Sequence, residues 1–368
     1  MTSPVDAICA AVADVAPLLT ALRERQRVAV AAPGAQEVLD AVTGALALPG
    51  LRVVETTAGL SAAELVIGQR IARAPLGAPI PVASIPAAAN QAMPQPISVI
   101  SGDGAVLRCY VAGDPAAAPV VVVSACGMPA GIASRWVEHL AVDHYVVTWE
   151  SRGLFGKDDG FDERHHDLAA QAADLLAVMS RFEMDNVHVI GLCGGAAIAL
   201  AAAASPRVRS LSLWHGDFEL GSAAAKTAHQ QDVAMLLAMS GRDRERAEKM
   251  QQMFRRPSVL ATLRPDIAHH LYYPYATAEL LYRYGRLNGA IMSTDCRPLL
   301  AAVTQPTLVV TSDEDTTAHP DGSRYVAQQL ADGHLRLLPH GDHLAAFDAA
   351  PELLTMASAF IARTRNAS

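Results

Sequence analysis

Hydrophobic positions between residues 97 and 216 fall into short apolar runs that alternate with longer segments of helical spacing. The run at 119–124 is almost entirely apolar, which is typical of a strand buried on both faces of a parallel sheet. Segment 166–184 instead carries apolar residues at every third or fourth position, the spacing of an amphipathic helix. The alternation returns at 305–310 and ends with a helix over 351–363. The pattern predicts an α/β fold in which helices cover both faces of a mostly parallel central sheet.

Two regions break this alternation and set the expected domain limits. Residues 217–303 carry helical patterns rich in arginine, methionine and tyrosine, and their position after the sixth expected strand predicts a helical cap. Residues 1–97 predict a small accessory α/β region that ends in a Pro- and Ala-rich segment, 74–96, expected to be an extended linker. The core would then comprise 98–216 and 304–368. For the accessory region two roles stay open, a stabilising or homodimerising appendage and a docking surface for a protein partner.

The composition narrows the class of protein. The 368 residues carry a formal net charge of −8, which argues against nucleic acid as the main partner because such binding usually needs a basic face. The five cysteines are scattered without a C-x-x-C pair, so neither a disulfide framework nor a zinc site is indicated and a reducing cytoplasm fits best. The N-terminus lacks the basic stretch of a secretory signal. The longest apolar run, 189–204, is too short to span a membrane, so no membrane insertion is expected.

The candidate chemistry centres on Gly191-Leu-Cys-Gly-Gly195, between an apolar run and a segment of small helix-forming residues. This is the pattern G-x-nucleophile-x-G, in which glycines flank a strained residue whose side chain projects above the sheet edge. The following helix would direct unpaired N–H groups and its positive dipole end at the sulfur, which favours the nucleophilic thiolate. Cys193 is therefore the candidate nucleophile. The alternative is an inert buried thiol.

Over roughly residues 97–365 the chain resembles the α/β-hydrolase fold family. Besides the Cys193 turn, the resemblance rests on the following segments: Val120-Val-Val-Val-Ser-Ala-Cys-Gly127, Glu150-Ser-Arg-Gly153, Pro306-Thr-Leu-Val-Val-Thr-Ser-Asp-Glu-Asp315, and Gly341-Asp-His343 with Pro351-Glu352. It implies a triad in the order nucleophile, acid, histidine, with Cys193, Asp315 and His343 in these roles. The imidazole would take the thiol proton, and the carboxylate would fix the imidazole tautomer. Two rival acids stay open, Asp313 and, after the preceding strand, Asp217.

The resemblance also implies an oxyanion site made by the backbone N–H groups of Gly194 and Met128. Before Met128 the family often has His-Gly, whereas this chain has Cys126-Gly127. Cys126 either lines the substrate pocket or fills the core. The remaining candidates for the pocket are Gly127, Leu192, Trp214 and His215, for the last of which core packing is the alternative.

Adjacent histidines do not indicate a metal site in this sequence. His165-His166 and His269-His270 are neighbours, and neighbouring side chains on a helix point apart, so they make poor metal ligands. We expect these four residues at the surface or in the cap. Neither a metal nor a bound cofactor is expected.

A cysteine at this turn bears on the substrate. A cysteine enzyme that takes an acyl group from a thioester stores it as another thioester, so the step is nearly isoenergetic, whereas serine would store a lower-energy oxoester. A dry site beneath a cap would favour transfer over hydrolysis. Two cysteine-bearing groups of the fold are similar: the compact dienelactone hydrolases, and the aminoacyltransferases of nonribosomal peptide pathways such as those of syringomycin and coronamic acid. The second group also has an N-terminal segment and a helical cap.

That second resemblance gives the main functional hypothesis. An aminoacyl or acyl group would pass from the phosphopantetheine thioester of a carrier protein, through acyl-S-Cys193, to an acceptor such as a second carrier thiol. The alternatives are a thioesterase or lactone or ester hydrolase with the same triad, and a non-catalytic ligand-binding member of the fold. Cap arginines such as Arg255 and Arg256 would offer an acidic carrier a docking face, although interleaved acidic residues favour an ordinary solvated helix.

Overall fold

The computed structural model describes residues 3–93, 95–156 and 160–366. The strands in these residues are β1 Gln26–Ala29, β2 Leu51–Val54, β3 Ile97–Ile100, β4 Val106–Ala112, β5 Ala118–Val123, β6 His144–Glu150, β7 Val187–Leu192, β8 Val208–Trp214, β9 Thr307–Ser312 and β10 Gly333–Leu338. The α-helices are α1 Pro4–Asp14, α2 Ala16–Leu22, α3 Ala35–Ala45, α4 Ala62–Ile71, α5 Ile85–Ala92, α6 Ser134–Leu140, α7 Leu168–Arg181, α8 Gly195–Ala202, α9 Ala228–Ser240, α10 Arg244–Phe254, α11 Ala268–Tyr272, α12 Ala278–Ser293, α13 Arg297–Leu300, α14 Pro320–Gln329, α15 Ala345–Asp348 and α16 Pro351–Asn366.

One large sheet carries the candidate site. Its strands follow the order β3-β4-β6-β5-β7-β8-β9-β10. All neighbours from β6 to β10 run parallel, while β3 and β4 add antiparallel pairs at one edge. Strands β7 and β9 are buried along their whole length. The predicted α/β fold with a mostly parallel sheet is confirmed, and the loops after β7, β8 and β9 meet at the carboxyl edge of the sheet.

The segment Glu150-Ser-Arg-Gly153 fastens the loop after β6 to the core. The Arg152 guanidinium is almost fully buried and donates to Asp174 Oδ1 and to Asp103 Oδ2, each across 2.5 Å. A buried charge is stable only when it is paired. Because Asp174 lies on α7 and Asp103 lies between β3 and β4, one side chain ties three segments together.

The chain forms two compact units. One consists of Met1–Gln95 and Asp243–Tyr282, and the other of Pro96–Arg242 and Arg283–Ser368. This division differs from the sequence analysis, which assigned all of 217–303 to one cap and kept the N-terminal region separate. Helices α10 and α11 instead belong to the unit that contains the N-terminal region.

Long-range contacts explain that correction. Helix α11 packs against α4, and the N–H of Ala62, the first residue of α4, donates to the carbonyl of Arg255 across 3.0 Å. Asp14 accepts hydrogen bonds from His269, across 2.9 Å, and from Arg70, across 2.5 Å. These partners are more than 50 residues apart in sequence, so local spacing carries no trace of them.

Part of the expected extended linker is helical. Helix α5 occupies 85–92 within the segment 74–96. Pro86 lies in its first turn, where a missing N–H breaks no helical hydrogen bond. The buried side chains of Ile85, Ala88 and Ala89 face a helical layer formed with α1 and α3. In 85–92 the helical spacing of apolar residues is therefore a better guide to the structure than the proline content of the segment.

The N-terminal strands β1 and β2 pair in parallel as a separate two-stranded sheet. Within the described ranges, no single helix has the length and apolarity needed to cross a bilayer. Helices α1 and α2 meet that test only when they are taken together across a 45° bend.

Candidate active site

The turn around Cys193 is held open by two glycines. Strand β7 ends at Leu192 and helix α8 begins at Gly195, so the predicted strand, turn and helix are confirmed. Cys193 has φ of 53°, a left-handed conformation that costs free energy for a residue with a Cβ. A Cβ on Gly195 would lie 2.2 Å from the Val123 carbonyl oxygen, and one on Gly191 would lie 2.6 Å from the neighbouring helix backbone. Only glycine fits at either position.

Backbone hydrogen bonds tie this turn to the end of β8. The N–H of Cys193 donates to the Trp214 carbonyl across 3.0 Å, and the N–H of Asp217 donates to the Cys193 carbonyl across 3.4 Å. Cys193 is partly exposed, whereas the other four cysteines are buried. Of the five thiols, Cys193 is therefore the one that an incoming carbonyl can reach.

Asp315 and His343 form the pair that the sequence analysis predicted. His343 Nδ1 lies 2.9 Å from Asp315 Oδ2, and both side chains are buried. Asp315 Oδ1 accepts the backbone N–H groups of Thr317 and Ala318, each across 2.9 Å. Burial alone would raise the pKa of Asp315, but hydrogen bonds from His215 and His343 hold it well below its usual range. The acid is thus a carboxylate at neutral pH, and as an acceptor it fixes the proton on His343 Nδ1.

The Cys193 sulfur also influences the pKa of His343. Burial would lower the pKa of His343, but the charge and hydrogen bond of the Cys193 sulfur and the Asp315 carboxylate outweigh it and raise the pKa well above its usual value. His343 Nε2 is buried without a hydrogen bond of normal geometry in the described residues. The hydrogen bond between a catalytic base and its nucleophile is often long or poorly aligned before substrate binds. The sulfur, imidazole and carboxylate are therefore arranged in series, as a nucleophile, a base and an orienting acid require.

The two rival acids have other partners. Asp313 is about half exposed and accepts from Arg324 across 2.5 Å. Asp217 accepts from Gln230 Nε2 across 2.6 Å, and burial raises the pKa of its carboxyl. Because neither binds the His343 ring, the structure places Asp315 alone of the three candidates in the acid position.

Comparison with known proteins agrees with the fold. No protein-family model matches the chain. The rhodomycin D methylesterase DauP of a Streptomyces species is 26% identical over 279 residues, which cover 64% of this chain and 88% of that protein. The esterase RhEst1 from a Rhodococcus species superposes with a TM-score of 0.57 at 18% identity, over 73% of this chain and 98% of that one. The enol-lactonase from Burkholderia xenovorans gives a TM-score of 0.55 at 20% identity, over 72% and 100%.

The chain has the α/β-hydrolase fold. In this structure the candidate triad lies on the loops after β7, β9 and β10, in the order expected for the fold.

The candidate oxyanion site has one backbone N–H without a partner in its helix. The N–H of Gly194 lies at the start of α8, where N–H groups have no partner within the helix. The second predicted donor, the N–H of Met128, donates to the Ala125 carbonyl across 3.2 Å, and that of Gly127 donates to Ser151 Oγ across 2.9 Å. The role of Met128 stays a prediction, and it requires the bond to Ala125 to open.

Helix α12, which lies within the segment 217–303 expected to form a cap, packs over both halves of this site. A Cβ on Gly127 would lie 2.6 Å from the Tyr284 ring, and one on Gly194 would lie 3.3 Å from Asn288 Oδ1 and 3.9 Å from Ile291. Asn288 Nδ2 donates to the Tyr284 hydroxyl across 3.0 Å. These three residues share the i, i+4, i+7 face of one helix. That periodicity is visible in the sequence, but nothing local tells which surface the face covers.

Several predicted pocket residues belong to the core instead. Leu192 and Trp214 are fully buried, and the Trp214 ring packs on Trp136 with centroids 4.8 Å apart. Cys126 is buried beside Gln171, and burial raises the pKa of its thiol to about 12, so it stays protonated. Their side chains turn inward because the carboxyl ends of the central strands are covered here. Gly127 keeps its predicted place in the loop, beneath the Tyr284 ring.

The structure brings together two groups that resemble metal ligands, His215 with Asp315 and His343, and Asp14 with His269 and His270. In the first, both imidazoles use a ring nitrogen to bind Asp315. In the second, the Arg70 guanidinium already neutralises Asp14. In both groups the possible ligand atoms already pair with one another or with an arginine, so these pairings explain the clusters without a cation.

The positions of His269 and His270 correct the sequence analysis. Both rings are buried and converge on one carboxylate, with centroids 4.0 Å apart. The short five-residue helix α11 and its burial against α4 allow what an exposed regular helix would not.

Proposed function

We propose that this α/β-hydrolase is an enzyme that cleaves carboxylic esters, lactones or thioesters through an acyl-S-Cys193 intermediate and releases the acid to water. The observation that carries the proposal is the series of a partly exposed Cys193, a buried His343 beside it and the 2.9 Å bond from His343 to Asp315. The sequence analysis put acyl transfer first. Hydrolysis now leads because the similar proteins are named as a methylesterase, an esterase and an enol-lactonase.

The chemistry follows from the positions of the protons. His343 Nε2 takes the proton of Cys193, and the thiolate attacks the substrate carbonyl carbon to form a C–S bond. The oxyanion receives the Gly194 N–H. The leaving alcohol or thiol takes the proton from His343 as its bond to carbon breaks. Water then gives a proton to His343 and attacks the acyl carbon, and Cys193 leaves with that proton. Asp315 stays ionised throughout and stabilises the imidazolium.

The proposal is tested by a panel of p-nitrophenyl esters, lactones and S-acyl-N-acetylcysteamine thioesters. We expect release of free acid that is lost in Cys193→Ala and kept in Cys109→Ala, a matched change at a buried thiol whose pKa burial raises to about 12. Hydrolysis that persists in Cys193→Ala would remove the proposal, as would a wild-type protein that turns over none of the three classes.

A second candidate is transfer of the acyl group to a carrier-protein thiol, from phosphopantetheine to phosphopantetheine. Two observations favour it: a cysteine occupies the proposed nucleophile position, and Tyr284 and Asn288 pack against Gly127 and Gly194 on either side of the proposed oxyanion site, where they would limit the access of water to a thioester. Adding a pantetheine-bearing acceptor to the same assay separates the two functions. Acyl-pantetheine in excess of free acid would favour transfer, and free acid alone would favour hydrolysis.

The proposed carrier-docking surface has its own test. On α10, Lys249 pairs with Glu245 and Arg246 with Asp243, as on a solvated helix, while Arg255 and Arg256 are exposed. If a carrier docks there, Arg255→Glu with Arg256→Glu raises the KM for an acyl-carrier protein and leaves the KM for the free thioester unchanged. Equal KM values for both substrates before and after the change would remove the docking surface.

A further inference from the structure

A second histidine binds the same oxygen of the triad acid. His215 Nδ1 lies 2.9 Å from Asp315 Oδ2, the same distance as His343 Nδ1. The two rings meet edge to face, with centroids 5.9 Å apart and planes at 86°. His215 is completely buried directly after β8, and its N–H donates to the Val310 carbonyl across 2.7 Å.

The backbone of His215 is held in a costly conformation. Its φ is 47°, in the left-handed region that residues with a Cβ adopt only when the surroundings impose it. The turn that carries it also carries Asp217, whose N–H binds the Cys193 carbonyl. The ring is thus placed by the same segment that fixes the nucleophile turn.

The two imidazoles are equivalent toward Asp315 and different at their other nitrogen. An ionised carboxylate only accepts, so both Nδ1 atoms carry their proton and donate it. His343 Nε2 has the Cys193 thiol beside it as a source of a second proton. His215 Nε2 is buried and has no hydrogen-bond partner among the residues that the structure describes. His343 Nε2 likewise has no hydrogen bond of normal geometry in those residues, so the two rings differ in that only His343 is coupled to the Cys193 sulfur. His343 is therefore the ring that exchanges a proton with the nucleophile, and His215 serves as a donor to Asp315.

We propose that His215 is a positioning residue that shares Asp315 with the catalytic base and limits how strongly the carboxylate holds the His343 imidazolium. The inference rests on the proposed function, since it concerns the same triad. A carboxylate oxygen that already accepts one N–H binds a second one less strongly. The imidazolium therefore gives its proton to the leaving group more readily than it would with Asp315 to itself.

Besides His215, three titratable groups face His343 in the described residues. They are Cys193 from the turn after β7, Asp217 from the turn after β8, and Asp315 after β9. Asp217 is bound to Gln230, and burial raises the pKa of its carboxyl, so it competes weakly for the imidazolium. The Cys193 sulfur and the shared Asp315 oxygen are thus the groups that raise the basicity of the ring, and His215 acts on the second of them.

The test compares pH profiles of p-nitrophenyl acetate acylation in wild type, His215→Phe and His215→Asn. Phenylalanine keeps an aromatic ring and removes the donor, while asparagine places an N–H near the position of Nδ1 and tolerates a positive φ. We expect the alkaline limb to move up by about 0.5–1 pH unit in His215→Phe, the effect of one hydrogen bond, and to return close to wild type in His215→Asn. Identical limbs in all three proteins, or equal shifts in both variants, would overturn the inference.

A measurement on the wild-type protein keeps the inference testable if His215→Phe fails to fold. Nitrogen-15 NMR of the histidine rings reports tautomer and charge. We expect the His215 ring to carry a proton on Nδ1, as a donor to the Asp315 carboxylate requires. A His215 ring protonated on Nε2 alone would contradict the role. Failure of the proposed function is seen separately, as absence of any acylation of wild-type Cys193.

Discussion

Replacing Asp315 by asparagine tests the triad most severely, because four donors surround this side chain. Two backbone N–H groups bind Oδ1, and two imidazole N–H groups bind Oδ2. Asparagine has one carbonyl oxygen and one NH₂ group. Whichever way the carboxamide turns, its NH₂ faces two N–H donors.

The Asp315→Asn substitution lowers either the free energy of unfolding or the rate of acylation, depending on the tautomer that His343 adopts. If both histidines keep their tautomers, two buried N–H groups lose their acceptor, at about 1–3 kcal/mol each. If His343 changes tautomer, Nδ1 accepts from the NH₂ group and the strain is relieved. Its Nε2 then carries the proton and cannot take one from Cys193. That inversion costs about 10⁴-fold in rate for a serine triad, or about 5.4 kcal/mol of barrier. We expect a folded protein that has lost about 10³- to 10⁴-fold in acylation rate.

The assay is the burst of p-nitrophenol release, read beside a urea unfolding curve for each variant. Asp217→Asn is the matched control, since the introduced carboxamide can still accept from Gln230 and Asp217 makes no bond to His343. We expect it to change the burst rate less than about tenfold, because the bond between His343 and Asp315 stays in place and only one neighbouring charge is lost. A burst that survives in Asp315→Asn and disappears in Asp217→Asn would refute the assignment of the acid.

Two further changes probe the local structure. Gly195→Ala places a Cβ 2.2 Å from a backbone oxygen of Val123, so we expect no soluble protein, or a free energy of unfolding in urea that is lower by at least about 3 kcal/mol. The control is Gly194→Ala, whose Cβ meets the movable end of the Asn288 side chain at 3.3 Å and which should fold. Equal stabilities of the two variants would contradict the packing. Asp14→Asn breaks the ion pair between Asp14 and Arg70, whose side chains are about three-quarters buried. We expect the free energy of unfolding to fall by about 2–4 kcal/mol at pH 7. Burial would raise the pKa of Asp14, but His269 and His270 hold it well below its usual value. The stabilisation by ionised Asp14 is therefore present above the unfolded pKa of about 3.9 and fades as the pH falls below it. A stability difference between wild type and Asp14→Asn that does not shrink in acid would contradict the ion pair.

Local signals in the sequence predicted the parts of the site that depend on backbone conformation. Gly191 and Gly195 mark a turn that excludes side chains, and the flanking apolar run and alanine-rich segment identify the strand and helix. The resemblance to the α/β-hydrolase fold implied that Cys193, Asp315 and His343 share one site, at the sheet edge where loops after parallel strands converge. It favoured Asp315 as the acid and left Asp313 and Asp217 open, and the bond from His343 to Asp315 distinguishes among them.

Features that depend on long-range packing were not predictable. His215 and Trp214 are adjacent at the end of β8, yet one binds the triad acid and the other packs in the core. Successive residues of a strand point to opposite faces, and local sequence does not tell which of the two faces the site. His269 and His270 share Asp14 only because a short helix is buried against the N-terminal region, a contact between segments about 255 residues apart.

The central claim is that the sulfur of Cys193 carries the acyl group during turnover. Rapid quenching after mixing with p-nitrophenyl acetate, followed by intact-mass and peptide-mass spectrometry, measures this directly. We predict one acetyl group on the peptide that contains Cys193, formed far more slowly in His343→Ala and absent in Cys193→Ala. An acetyl group on a different residue, or ester turnover that continues at the wild-type rate in Cys193→Ala, would contradict the account.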